Sequence, residues 1–254
     1  KIACIGDSLT EGDYGSGQKG VANKQLLNYP YYLAKSLGCQ TINYGLCGKN
    51  AKNYYTDYYP KADITDCDII SSASAVKMGT ASWGGFKKVR IKDIRIRDTF
   101  RSAIAIECVD GGIIDDILVE NIRALNTGNA LFIRLGHRKG EAPGTLKNVT
   151  IRNLYVEVPF GRPDINYDMR GPAVDFFHNP IPSSITGIPG HRVENVVLED
   201  IEVVYPGRAS KGMAYIPLSR LHQVPEQIQK YPEFTMFGEL PSWALFVRHV
   251  KGLT

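Results

Sequence analysis

The apolar positions of this chain fall into short blocks of strand period, and the blocks recur. The unit is apolar-x-apolar-x-Asn/Asp-apolar, present as Val89-Arg-Ile-Lys-Asp93-Ile94, Ile117-Leu-Val-Glu-Asn121-Ile122, Val149-Thr-Ile-Arg-Asn153-Leu154 and Val196-Val-Leu-Glu-Asp200-Ile201. A weaker copy, Ala62-Asp-Ile-Thr-Asp66-Cys67, precedes them, and a last one begins at Val250. The steps are 27, 28, 32 and 47 residues, as when loops are inserted into some turns. Strand-length units at this period predict stacked coils of a solenoid. Asn and Asp at the fifth position predict coil corners, where their side chains bond backbone groups between turns.

A second strand recurs inside each unit. Ser74-Ala-Val-Lys-Met-Gly79, Ser102-Ala-Ile-Ala-Ile-Glu107 and Asn129-Ala-Leu-Phe-Ile-Arg134 align without gaps at steps of 28 and 27, and Ala173-Val-Asp-Phe-Phe177 and Ala244-Leu-Phe-Val-Arg248 continue the series. Two strand series in one register predict a mainly β fold, a parallel β-helix. Alternation then sorts the side chains. Val76, Met78, Ile104, Ile106, Leu131, Ile133, Leu245 and Val247 point inward, while Lys77, Glu107, Phe132, Arg134, Asp175, Phe246 and Arg248 form an outward charged and aromatic ladder. An ordinary solvated face would carry the charges; the aromatics favour a binding groove, because the other strand series reads as scattered charges without them.

The first residues read differently. Lys1-Ile-Ala-Cys-Ile5 is an apolar strand, residues 28–36 an amphipathic helix ending before Gly38, and Cys39-Gln-Thr-Ile-Asn-Tyr44 a second strand. A strand breaking at Gly6 would present Ser8 at a sheet's carboxyl edge, where a nucleophile is reachable; the alternative is a turn capping the next helix. The chain has 254 residues, enough for one large domain or two small ones. A net charge of +4 without a basic, aromatic-interleaved stripe argues against nucleic acid, and no apolar run reaches membrane-spanning length. Five scattered cysteines lack metal-ligand spacing, and their odd number forbids full internal pairing, so mostly free, buried thiols are expected. The absent initiator Met suggests a trimmed or mature chain; no signal peptide is seen.

The block Gly6-Asp-Ser-Leu-Thr-Glu-Gly12, followed by Asn43-Tyr-Gly45-Leu-Cys-Gly48, resembles the SGNH (GDSL) hydrolase family over residues 1–65. The resemblance implies a partial flavodoxin-like α/β segment with Ser8 as nucleophile and Gly48 in the oxyanion hole. That family's Gly-x-Asn-Asp block is missing: Gly79-Thr80 stands without its Asn. An Asp-x-x-His exists at Asp175-Phe-Phe-His178, which would supply the orienting acid and the base.

Residues 62–254 resemble the polygalacturonase family of glycoside hydrolases. The motifs are Phe86-Lys-Lys-Val-Arg-Ile-Lys-Asp93, Ala105-Ile-Glu-Cys-Val-Asp-Gly-Gly112, Phe132-Ile-Arg-Leu-Gly-His-Arg138, Ile185-Thr-Gly-Ile-Pro-Gly-His191 and Ala244-Leu-Phe-Val-Arg-His-Val-Lys-Gly-Leu-Thr254. This implies a right-handed parallel β-helix acting on galacturonate-rich pectic polysaccharide by inverting hydrolysis, without a metal or other cofactor, in a secreted or periplasmic protein. Lys77, Arg134 and Arg248, with Phe132 and His137, would bind the acidic sugar. The family's Asn-x-Asp, Asp-Asp and Gly-His-Gly motifs are absent; Gly136-His137-Arg138 and Gly190-His191-Arg192 are partial echoes. Arg90-Ile91-Lys92 lies on the wrong strand series for the family's Arg-x-Lys. Glu107 and Asp175 are the carboxylates left on the groove face.

The two resemblances meet without a linker, at residues 61–70, which read either as the hydrolase's third strand or as a repeat strand. A division into residues 1–65 and 66–254 is expected, as a fused or trimmed chain. Three functions remain open: a pectin-directed glycoside hydrolase or its remnant, a serine esterase deacylating sugars, and a non-catalytic, carbohydrate-binding scaffold.

Overall fold

Alternation within each repeat dictates a strand, and the Asn or Asp dictates where that strand bends. The computed structural model describes residues 2–4, 41–43, 62–161, 181–207, 218–238 and 240–254. They are mainly β, and the strand pairing is parallel. Two short strands, β1 (Ile2–Cys4) and β2 (Thr41–Asn43), pair as a sheet of their own, Ile2 opposite Thr41. The larger sheet contains β3 (Ala62–Ile70), β4 (Val76–Met78), β5 (Gly85–Cys108), β6 (Ile113–Leu135), β7 (Thr145–Glu157), β8 (Ser183–Thr186), β9 (Val193–Val204), β10 (Leu245–Arg248) and β11 (Val250–Leu253).

The register follows the repeat. Ala62 lies opposite Val89, Val89 opposite Ile117, Ile117 opposite Val149 and Val149 opposite Val196. The last strand enters three residues out of phase with that series: Val250 faces Val193, and Leu253 faces Val196. All of β3 pairs with β5, so the expected boundary at residues 65/66 falls inside a strand, and residues 62–70 belong to the repeat.

Long strands such as β5, of 24 residues, turn their alternation at left-handed corners. Lys88, Asp93 and Asp98 have φ of 55°, 57° and 47°, and Asp116, Asn121 and Asn126 repeat the series with 60°, 56° and 49°. Asn and Asp tolerate this conformation better than other residues with a Cβ. Each corner resets the two-residue period, so Val89 and Ile91 are buried before Asp93, and Ile94 and Ile96 after it. Corner side chains bond one another from repeat to repeat. Asn121 Nδ2 donates to Asp93 Oδ1 (2.9 Å), Asn153 Nδ2 to Asn121 Oδ1 (2.8 Å), Asn126 Nδ2 to Asp98 Oδ1 (2.8 Å) and Asn195 Nδ2 to Asn148 Oδ1 (3.0 Å).

The main core runs between the strand series and includes Val76, Met78, Ile104, Ile106, Leu131, Ile133 and Ile185, as alternation required. Burying each such side chain stabilises the fold by roughly 1.5–3 kcal/mol. Leu245 packs against this core from the last repeat, but Val247, expected inward, is 39 % exposed on the terminal strand β10.

In the second series Val76 pairs with Ile104 and Ile104 with Leu131, as read. The next strand was missed: β8 pairs Ser184 with Phe132 on one side and with Phe246 on the other. Ser183–Thr186 therefore holds the place beside β6 that repeat spacing gave to residues 173–177, and those residues lie outside the described set.

One irregularity matters for the site. Thr99 pairs with Thr127 but Ser102 with Asn129, so Phe100 and Arg101 of β5 oppose the single Gly128 of β6. Such a bulge re-aims a side chain. Here it sets Arg101, 2 % exposed, on the face away from the main core, against Glu233.

Candidate functional site

The outward face of the second strand series exists in register, Lys77–Ala105–Phe132–Ser184–Phe246 and, two residues on, Glu107–Arg134–Thr186–Arg248. It is neither an open groove nor a solvated face. A strap, the segment 224–238 that follows a 3-10 helix at Leu218–Gln223, covers it. Val224, Phe234, Met236 and Phe237 of the strap join Phe132 and Phe246 of the strands in a second apolar cluster, with Ile181 and Leu240. Phe132 is 1 % exposed and so belongs to that cluster, not to a sugar-stacking surface.

Arg134 is equally buried and has a different task from the one expected. Its Nη1 donates to Thr186 Oγ1 (3.2 Å) and to the Gly187 carbonyl (2.9 Å), and its Nη2 to the carbonyls of Glu226 (2.8 Å) and Gln227 (3.3 Å). Its guanidinium lies 5.3 Å from the Phe237 ring centroid. Burial pulls its pKa down to about 10, opposed by the nearby Glu226 carboxylate. Arg248, half-buried, donates through Nη1 to the Val224 carbonyl (2.7 Å) and pairs with the Glu226 carboxylate, which His249 Nε2 also approaches at 3.0 and 3.1 Å. Both arginines hold the strap to the sheet. The backbone N–H of His137 does so too, donating to Ile228 O (3.0 Å), while its ring Nε2 lies 3.0 Å from Gly140 O.

Beyond the apolar cluster the face becomes ionic and partly open. Lys77 Nζ lies 3.0 Å from Glu107 Oε1; the lysine side chain is 22 % exposed and the glutamate 1 %. Glu107 Oε2 is buried with no hydrogen-bond partner. Burial, reinforced by the Glu233 carboxylate and opposed by Lys77 and Arg101, pushes Glu107 up to about 7. Gly79 gives the lysine room, because a methyl group there would sit 2.6 Å from Lys77 Cε and 3.4 Å from Glu107 Oε2.

Two further ion pairs flank this one. Arg101 pairs with Glu233, both buried, and the Glu233 carboxylate also accepts the N–H of Phe234 at 3.2 Å. Arg138 binds Asp110 through Nε (2.9 Å) and Nη2 (2.8 Å), while the Ala81 N–H donates to Asp110 at 2.7 Å. Those donors outweigh burial and hold Asp110 below the usual carboxylate range. The Tyr231 ring, half-buried, stands 5.5 Å from Lys77 Nζ and 5.6 Å from the Arg138 guanidinium carbon. Lys77, Tyr231 and Arg138 thus form a mouth with a near-neutral acid beneath it.

Of the residues read from sequence, Lys77 and Glu107 are brought together, and Phe132, Arg134 and Arg248 lie beneath or along the strap. Ser8, Gly48, Asp175 and His178 lie outside the described residues. Arg101, Asp110, Arg138, Tyr231 and Glu233 were missed as site residues. One signal was available for Arg101: the same pair of repeats advances by 28 residues in one series and 27 in the other, which requires an extra residue between Ile94 and Ser102, and the structure places it between Thr99 and Ser102. Tyr231 and Glu233 sit in an aperiodic, proline-bearing stretch that gave none.

The other sheet face carries salt bridges across the repeats. Lys92 Nζ lies 2.7 Å from Glu120, which Arg152 also pairs; Arg95 bonds Asp68. Tyr155, 4.5 Å from the Arg123 guanidinium carbon, makes this face less free of aromatics than expected. Cys67 and Cys108 are free thiols, half-buried and buried, and burial pushes Cys108 up to about 12, so it stays protonated. Among the described residues no group of His, Cys, Asp and Glu is placed to hold a metal ion, and no helix is long and apolar enough to cross a membrane. No family model, curated protein or solved structure matches the chain.

Proposed function

We propose that residues 62–254 form a right-handed parallel β-helix of the polygalacturonase type, and that the mouth at Lys77, Tyr231 and Arg138 takes galacturonate-containing polysaccharide. The observation that carries this reading is a carboxyl group held near neutrality under two cations and an aromatic ring. The cations suit the carboxylate of a uronic acid, by point charge for Lys77 and, for Arg138, through the guanidinium N–H groups that Asp110 does not take. Tyr231 offers an apolar ring to the sugar. Glu107, protonated up to about pH 7, gives its proton to the glycosidic oxygen as the bond to the leaving sugar breaks, while a water molecule bonds to the anomeric carbon and releases its proton to solvent. Asp110 and Glu233 act as ionic anchors for Arg138 and Arg101. Parallel strands in register at steps of 27 and 28 residues, bent at Asn and Asp corners, support the solenoid.

The test is release of new reducing ends from polygalacturonate, with binding measured alongside. Glu107→Gln is expected to keep binding and to lose about 10²–10⁴-fold in rate, the usual worth of one acid. Binding without hydrolysis in the unsubstituted protein would leave the scaffold reading standing; neither binding nor hydrolysis would overturn the pectic reading.

A second reading, a serine esterase acting on acylated sugars, has one observation in its favour. Ile2–Cys4 pairs in parallel with Thr41–Asn43 in a separate sheet, the start a flavodoxin-like segment requires, with Ser8 four residues past the first strand. Ester hydrolysis abolished by Ser8→Ala would establish it; hydrolysis insensitive to that change would remove it.

A further inference from the structure

Lys77 carries one positive charge, on which Glu107 and an anion at the mouth would both draw. Its ammonium is tied to Glu107 at 3.0 Å, and it is also one of the two cations at the mouth. The other cations near Glu107 are committed elsewhere, Arg101 to Glu233 and Arg138 to Asp110. Breaking the Lys77 contact with Glu107 still ionised would leave a buried carboxylate with neither oxygen paired, since Oε2 has no partner already. An anion that draws Lys77 away therefore needs Glu107 to be neutral.

We propose that binding at this mouth is gated by a proton: when Glu107 takes one up, the Lys77–Glu107 pair opens, and the released ammonium joins Arg138 in holding the carboxylate of an acidic sugar. This rests on reading the mouth as the pectic site. The charged and titratable groups around Glu107 are Lys77 from β4, Arg101 from β5, Arg138 from the segment after β6, Glu233 and Tyr231 from the strap, and Arg134 of β6, its register partner, whose guanidinium is bonded to Thr186 and to the Gly187, Glu226 and Gln227 carbonyls. Burial and Glu233 favour the protonated acid; Lys77 and Arg101 oppose them, and the result, near 7, puts the gate within reach of ordinary pH. Lys77 has the freedom to move, being partly exposed and bordered by Gly79.

The probe is trigalacturonate, whose carboxylates stay ionised well above about pH 4, as other carboxylates do. Its affinity is expected to be constant below about pH 7 and to fall about tenfold for each further pH unit, with up to one proton taken up on binding, as linkage requires when the bound state has the higher pKa. Calorimetry at about pH 6 and pH 8.5, in two buffers of different ionisation enthalpy, reads both quantities. Glu107→Gln is expected to bind with the same affinity at both pH values and without proton uptake; Lys77→Gln is expected to bind weakly at both. Equal affinity of the unsubstituted protein at the two pH values, or an unchanged pH dependence in Glu107→Gln, overturns the gate and leaves the pectic reading intact. Binding at neither pH overturns both.

Discussion

Burial, opposed by Lys77 and Arg101, leaves Glu107 protonated up to about pH 7, against an ordinary value of 4.5. Between those values the folded state binds a proton that the unfolded chain has released. The stability this confers is therefore fully present below about pH 4.5 and lost as pH rises through about 7, by on the order of 3 kcal/mol. Glu107→Gln removes the titration. Urea unfolding at pH 5 and pH 8 should show a smaller loss of stability in the variant than in the parent, the difference isolating Glu107 from Glu233, whose pKa burial also raises. Lys77 and Glu107 were legible in the sequence because two-residue alternation separates them from Val76, Met78 and Ile106. Their partners were not, because Tyr231 and Glu233 reach the site from a segment without period, and sequence distance carries no trace of that approach.

At the scale of the element, the corner columns decide which repeats adhere. Asn153 donates to Asn121 and Asn121 to Asp93, but the next corner in that column is Asp200, which has no amide to donate. Asp200 is exposed and already left-handed, with φ of 53°, so replacing it by Asn costs no new strain. Asp200→Asn should add one amide bond to the column and raise stability by about 0.5–1.5 kcal/mol, read as a shift in the urea midpoint at unchanged slope. The repeat strands were readable because period and corner residue coincide. β8 was not, because Ser183-Ser-Ile-Thr186 offers one aliphatic side chain and follows a step of 52 residues, from Phe132 to Ser184. The strand expected at residues 173–177 carried more apolar side chains and the better-looking pattern, yet the place beside β6 is Ser183–Thr186.

At the scale of the whole molecule, the strap replaces what repeat logic alone would leave open. Period and alternation specify the sheet and its two faces; they do not say that a later, aperiodic segment will return across one of them. Arg134 is the main polar fastening, since its guanidinium serves two strap carbonyls from beneath. Arg134→Ala strips those carbonyls of their buried donor, at about 1–3 kcal/mol. Limited proteolysis should then cut within residues 224–238 before the strands, where the parent resists; uniform resistance in the variant would show that the apolar cluster alone holds the strap. The corner amides have a consequence of another kind. In the amide bonds described, each donor belongs to the later repeat and each acceptor to the earlier one, with Asp93, Asp98 or Asp115 as first acceptor. The side-chain dipoles therefore point the same way along the stack. The columns are vectors, and a repeat inserted backwards or a corner carboxylate placed mid-column would break their polarity.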